Sequence, residues 1–174
     1  MKSLKNQKKP KKRKIFTPLF IWAAVSLICM TVIFLFSSRN SEQSSEMSST
    51  LASKLFAPAL DLIEVSNPTP LMGTIEVIVR KSAHFIIFFI LGFCITNTVM
   101  RIKKIKKNLY IFLISVILCS VYAATDELHQ YFVPGRACMW QDWVIDTAGV
   151  LLGVGLAFLI ANFIFKIRRN NKLK

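Results

Sequence analysis

Four long apolar blocks constrain this chain more than any other feature: Leu19–Phe36, Ala83–Met100, Leu109–Ala124 and Val144–Phe165. A bilayer core of ~30 Å takes ~20 mostly apolar residues in a helix. The first and fourth blocks meet that length directly. The second and third reach it by extending through weakly polar flanks such as Ile75–Val79. At 174 residues, 53% of them hydrophobic, the chain amounts to one domain, and its apolar content is high for a soluble one. The expected fold class is all-α, an integral membrane bundle of four transmembrane helices with spans at about 19–36, 82–100, 109–126 and 143–165. A basic cytoplasmic arm at 1–18 precedes the membrane domain at 19–166, and a basic tail at 167–174 follows it.

The formal charge of +14 matters less than its placement. Lys2–Lys14 holds eight basic residues, Arg101–Lys107 five and Lys166–Lys174 five, with no Asp or Glu among them. All nine acidic residues lie between the first two blocks or from Asp126 to Asp146. Cytoplasmic loops collect Lys and Arg. With four spans, the N-terminus, the second loop and the C-terminus share one side, so parity and charge agree on N-in/C-in. The first block is expected to stay as a helix, because Leu35-Phe36-Ser37 lacks the small-x-small pattern of a cleaved signal. A basic run abutting a span is accounted for by orientation and by membrane lipids, so no nucleic-acid partner is expected.

Between the first two spans, Ser37–Thr50 reads as an exposed Ser/Glu-rich linker. Leu51–Val65 is amphipathic, with Leu51, Leu55, Leu62 and Ile63 on one face and Pro58 interrupting, and is expected to form a short interfacial helix in this first outer loop. Asn67-Pro68-Thr69-Pro70 breaks the chain, and a helix restarts near Gly73. Arg101–Lys107 forms a tight inner hairpin. Span three stays helical to about Phe132, Pro134-Gly135 turns the chain, and Asp142 is expected to cap span four.

The polar residues of the membrane domain gather at one mouth. Arg80, Lys81 and His84 enter span two; Asp126, Glu127, His129 and Gln130 leave span three; Arg136 follows; Asp142 and Asp146 enter span four. Ionisable groups at membrane depth are costly and face a bundle interior or a wet cavity. Arg80 and His84 are i, i+4, as are Asp126 and Gln130, while Asp126 and His129 are i, i+3. Asp142, Asp146, Gly149 and Gly153 form one stripe, whose glycines allow a neighbouring backbone to approach closely.

Three readings of this mouth stay open. In acid–base chemistry Glu127 or Asp126 is the base, with His84 or His129 as proton shuttle. In binding, Arg80 and Arg136 clamp a phosphate or carboxylate, with Lys81, Gln130, Asp142 and Asp146 completing the site. In a structural cluster, Arg80 and Arg136 are the partners of Asp126 and Glu127. No metal or other cofactor is expected: there is no HExxH and no CxxC, and Cys29, Cys94 and Cys119 lie within apolar blocks. Tyr131, Trp140 and Trp143 fit an interfacial aromatic belt.

The segment Arg80-Lys81-Ser82-Ala83-His84-Phe85, ending in Leu91-Gly92, resembles the start of a VanZ-like domain. So does Asp126-Glu127-Leu128-His129-Gln130, followed by Phe132-Val133-Pro134-Gly135-Arg136, then Asp142, Ile145-Asp146, Gly149 and Gly153. The resemblance runs from about residue 20 to 165. It implies a multi-spanning protein of the bacterial plasma membrane and a part in tolerance of the glycopeptide teicoplanin, the family being named for a protein that confers low-level teicoplanin resistance. The converging Arg, His and carboxylate set adds the expectation of a ligand at the outer mouth, an anionic or lipid-linked envelope precursor, that is bound or modified. The resemblance brings no established reaction, so an intramembrane hydrolase or transferase and a non-catalytic adaptor remain alternatives. Relatives often carry an acidic residue and then Tyr shortly after the histidine. Here that stretch is Ile86-Ile87-Phe88, which takes one carboxylate out of the catalytic reading.

Overall fold

The computed structural model describes residues 16–62 and 69–171. Every regular element among them is an α-helix: α1 Phe16–Ser37, α2 Ser41–Leu62, α3 Thr69–Val99, α4 Asn108–Tyr131 and α5 Trp140–Asn170. The basic arm Lys2–Lys14, Ile63 and the Asn67-Pro68 break lie outside the described residues. All helices but α2 are long and apolar enough to cross a membrane. The chain is a multi-pass membrane protein with the expected four spans.

The span helices overshoot their apolar blocks. α3 and α5 have 31 residues each, about 46 Å at ~1.5 Å per residue, against a hydrocarbon core of ~30 Å. α3 starts at Thr69 rather than near Gly73, because Pro70 in a first turn lacks only an N–H that has no intrahelical acceptor anyway. α5 starts at Trp140, with Met139 in the cap position. Asp142 therefore lies in the first turn rather than at the cap, where its side chain is committed to another partner described below.

Outward-facing Ile28, Ile86, Ile117 and Leu159 are exposed, as a hydrocarbon solvent permits. Lipid tails are as apolar as Leu, so close packing rather than hydrophobic burial joins the helices, and small residues mark the seams. α4 buries Ile111, Ser115, Cys119 and Ala123 along one stripe. α3 touches all four other helices and is the axis of the bundle. Its seam with α5 is a backbone contact. A Cβ on Gly92 would lie 2.6 Å from the Val150 carbonyl oxygen, and Cβ atoms on Gly149 and Gly153 would strike the carbonyls of Phe85 and Phe89. The expected glycine stripe thus packs on α3, and it brings the N-terminal turns of α5 against Arg80–His84.

The expected exposed linker at 37–50 is instead the first half of α2. Asn40 caps it, its Oδ1 accepting the Gln43 backbone N–H at 2.8 Å, with Glu42 in the first turn. Pro58 sits inside the helix without ending it. Ser44, Ser48 and Ala52 form the buried side. Ser48 returns its hydroxyl to the Ser44 carbonyl at 2.9 Å, which leaves a small surface with its polar group satisfied. Leu51 and Leu55, on the expected apolar face, are exposed. α2 packs mainly on α3.

The opposite end has the expected tight connection between α3 and α4. Ile102 and Ile105 donate to Val99 and Ile102 carbonyls at 3.0 Å. Arg101 lies over the Trp22 ring, 5.3 Å from its centroid, and hydrogen-bonds the Asn97 carbonyl and side chain.

A candidate anion site at the mouth of the bundle

A cavity of about 280 Å³ opens where α3, α4 and α5 meet. α3 contributes Val77, Arg80, Lys81 and His84; α4 contributes Glu127 and Gln130; the connecting turn contributes Gly135, Arg136, Ala137 and Met139; α5 contributes Asp142, Ile145 and Asp146. Eight of the ten residues expected at the site line it; Asp126 and His129 do not.

The turn after α4 is built for one purpose visible in its geometry. Gly135 has φ +75°, in the left-handed region that favours glycine. A Cβ there would also sit 2.9 Å from Ser41 Cβ, while the Ser41 N–H donates to the Pro134 carbonyl at 3.3 Å. The turn doubles back on α2, and Arg136 reaches α4 to donate to Gln130 Oε1 at 2.9 Å. Gln130 Nε2 donates to Asp126 at 3.0 Å, and Ser37 Oγ donates to the same carboxylate oxygen at 2.7 Å. A buried relay thus runs from α1 through Asp126 and Gln130 to Arg136.

The expected pairing of arginines with Asp126 and Glu127 is not what holds these carboxylates. Asp126 takes Ser37 and Gln130. Glu127 Oε2 accepts the Met139 backbone N–H at 3.1 Å, tying α4 to the start of α5. The Trp143 indole N–H donates to the Ser120 carbonyl at 3.1 Å, so this ring joins the same two helices. Lys81 forms an ion pair with Asp142. His129 leaves the cavity altogether: it stacks on Phe34 at 4.8 Å and meets Ser38 Oγ at 3.1 Å. That removes it as a shuttle to this cavity. Among the described residues, no three His, Cys, Asp or Glu side chains converge as metal ligands.

Three groups lining the cavity keep atoms without such partners. Arg80 is half-buried, and among the described residues its Nε has no hydrogen-bond partner and its guanidinium makes no salt bridge. The Nε of Arg136 is likewise unpaired. Burial lowers the Arg136 pKa, and the neighbouring Arg80 adds to that shift while Asp126, Glu127 and Asp142 oppose it. Asp146 is fully buried, with neither carboxyl oxygen hydrogen-bonded. Its nearest basic group is His84, whose Nδ1 lies 3.9 Å from Asp146 Oδ2. An uncompensated ionic group at membrane depth is expensive, so the cavity presents cationic donors that lack a protein acceptor.

Sequence reasoning missed Ser37, the Met139 N–H and the Ser120 carbonyl as partners. Two of these three are backbone groups, which no residue type announces. Ser37 was legible only as the last small residue of a buried α1 stripe with Ser26 and Ile33.

A family model described as VanZ/LLP1 matches residues 22–162, a stretch that contains the whole cavity. Comparison with curated proteins and with solved structures gave no match.

Proposed function

The chain belongs to the VanZ/LLP1 family, and from that membership we propose that it binds an anionic group of an envelope component at the mouth cavity and so contributes to teicoplanin tolerance. The observation that carries the reading is Arg80, a half-buried arginine lining a polar cavity with no acceptor of its own among the described residues. Each neighbouring carboxylate except Asp146 already has a partner, and Asp146 faces His84 instead. Arg80 and Arg136 supply forked donors suited to a phosphate or carboxylate. The distribution of basic residues supports N-in/C-in, and the proposal takes the mouth to lie on the outer face of a bacterial plasma membrane, where envelope precursors are handled.

The test is teicoplanin susceptibility in a strain that depends on this protein, carrying Arg80→Gln, Arg136→Ala or Glu127→Gln at wild-type membrane levels. Loss of tolerance in the two arginine variants is expected. Unchanged susceptibility in both would sink a role for the cavity.

A second, catalytic reading is favoured by the His84–Asp146 juxtaposition. An imidazole beside a buried carboxylate can carry a proton in a hydrolase or transferase acting on a lipid-linked substrate. It predicts that His84→Gln abolishes turnover of such a substrate by purified protein while binding persists. Binding and tolerance both surviving His84→Gln would remove this reading.

A further inference from the structure

A second cavity, of about 220 Å³, lies between α1, α2 and α3. Apart from Arg39, Ser44, Ser48 and three residues shared with the first cavity, it is walled by apolar side chains, among them Ile33, Phe36, Met47, Leu51, Ala83 and Ile87. It adjoins the first cavity. Arg80, His84 and Arg136 line it as well as the polar cavity, so the three residues form a partition between a wet chamber and an apolar slot. Together the two volumes fall within the ~300–1,000 Å³ of ordinary ligand sites.

We propose that chamber and slot are the two halves of one phospholipid site, with the phosphate held by Arg80 and Arg136 and one acyl chain lying in the slot beneath α2. The proposal rests on the anion-binding reading of the cavity and names its ligand class. The amphiphilic shape of the site matches a molecule with an anionic head joined to a hydrocarbon chain, and the surrounding bilayer supplies such molecules. A phosphate offers more acceptor oxygens than a carboxylate to two forked donors.

The division of labour follows from the solvent. A chain leaving the bilayer gains little from an apolar wall, because lipid tails are themselves as apolar as Leu. The phosphate contact therefore supplies affinity. The slot supplies permission: a head drawn to Arg80 brings its chain along, and without an apolar lining that chain would meet Arg136 and His84. α2 makes the slot possible. Its small residues Ser44, Ser48 and Ala52 are buried, while Met47 and Leu51 remain as part of the wall.

The experiment uses the full chain in detergent, titrated with glycerol phosphate and with oleoyl lysophosphatidic acid, for wild type, Ala83→Trp and Met47→Trp. The indole fills the slot without altering the arginines. Wild type is expected to bind both probes. Both variants are expected to lose lysophosphatidic acid affinity about tenfold, the overpacking penalty expressed as binding, and to keep glycerol phosphate binding. In parallel, lysophosphatidic acid with a photoreactive chain is crosslinked to wild type, and adducts are expected at Met47, Ala83 or Ile87. Undiminished lysolipid binding in both variants, or adducts confined to other helix faces, overturns the proposal while leaving the anion reading intact. Failure of wild type to bind glycerol phosphate overturns the anion reading and this proposal together.

Discussion

Ser37 Oγ donates to the Asp126 carboxylate at 2.7 Å with both side chains buried, linking α1 to α4 at the mouth. The same oxygen accepts from Gln130. Asp126, which the sequence offered as a base, is spent on structure. Asp126→Ala strips an acceptor from two buried donors, and loss of hydrogen bonds to a charged group costs ~1.5–3 kcal/mol. Thermal unfolding in detergent is expected to show that loss, with glycerol phosphate still bound by the folded fraction. A stable Asp126→Ala protein that no longer binds would return Asp126 to the ligand site.

Glycines on α5 separate packing from helix propensity within one helix. Gly149 and Gly153 face α3 carbonyls, whereas a Cβ on Gly155 meets nothing within 4 Å. Gly153→Ala must push α3 and α5 apart and is expected to lower stability by ~1–3 kcal/mol. Gly155→Ala is expected to be neutral or stabilising by up to ~1 kcal/mol. Equal effects of the two substitutions would mean that the seam is not in backbone contact.

Gly135 joins two requirements, a left-handed φ of 75° and clearance from Ser41. An L-residue there costs ~1–2 kcal/mol for the backbone alone. Gly135→Ala is expected to lower the melting temperature and to weaken glycerol phosphate binding, because the turn aims Arg136. Weakened stability with unaltered affinity would show that Arg136 is aimed by Gln130 alone.

Cys138 tests orientation. It is exposed in the turn at the mouth, whereas Cys94 and Cys119 are buried and Cys29 is half-buried. With N-in/C-in, a membrane-impermeant maleimide labels intact cells, and Cys138→Ser abolishes the labelling. Labelling of Cys138 only after permeabilisation would reverse the assignment.

The spans and the mouth were legible because a bilayer punishes misplaced charge, so Arg80, Lys81, His84 and the α5 carboxylates announce where the membrane domain is wet. Helical angles also placed Asp126 and His129 on one face, and they do share it. That face looks at Ser37, Ser38 and Phe34 of α1 rather than into the cavity, and spacing within one helix does not say which neighbour it meets. Glu127, one residue on, turns to the cavity and to Met139. The helical state of 41–50 was masked by its Ser-rich composition, although Asn40 and Gln43 carry an N-capping signal at the right spacing. The slot under α2 was invisible, because it depends on how three helices sit together.

Anion binding at the mouth requires Arg80 to be a cation open to an external anion. The most direct measurement is calorimetric titration of the purified protein with glycerol phosphate, comparing wild type with Arg80→Gln and with Lys166→Gln at the opposite end of the bundle. Loss of a charge-assisted contact of ~1.5–3 kcal/mol predicts about 10- to 150-fold weaker binding for Arg80→Gln, with Lys166→Gln matching wild type. Binding that is equal in all three proteins, or absent from wild type, would contradict it.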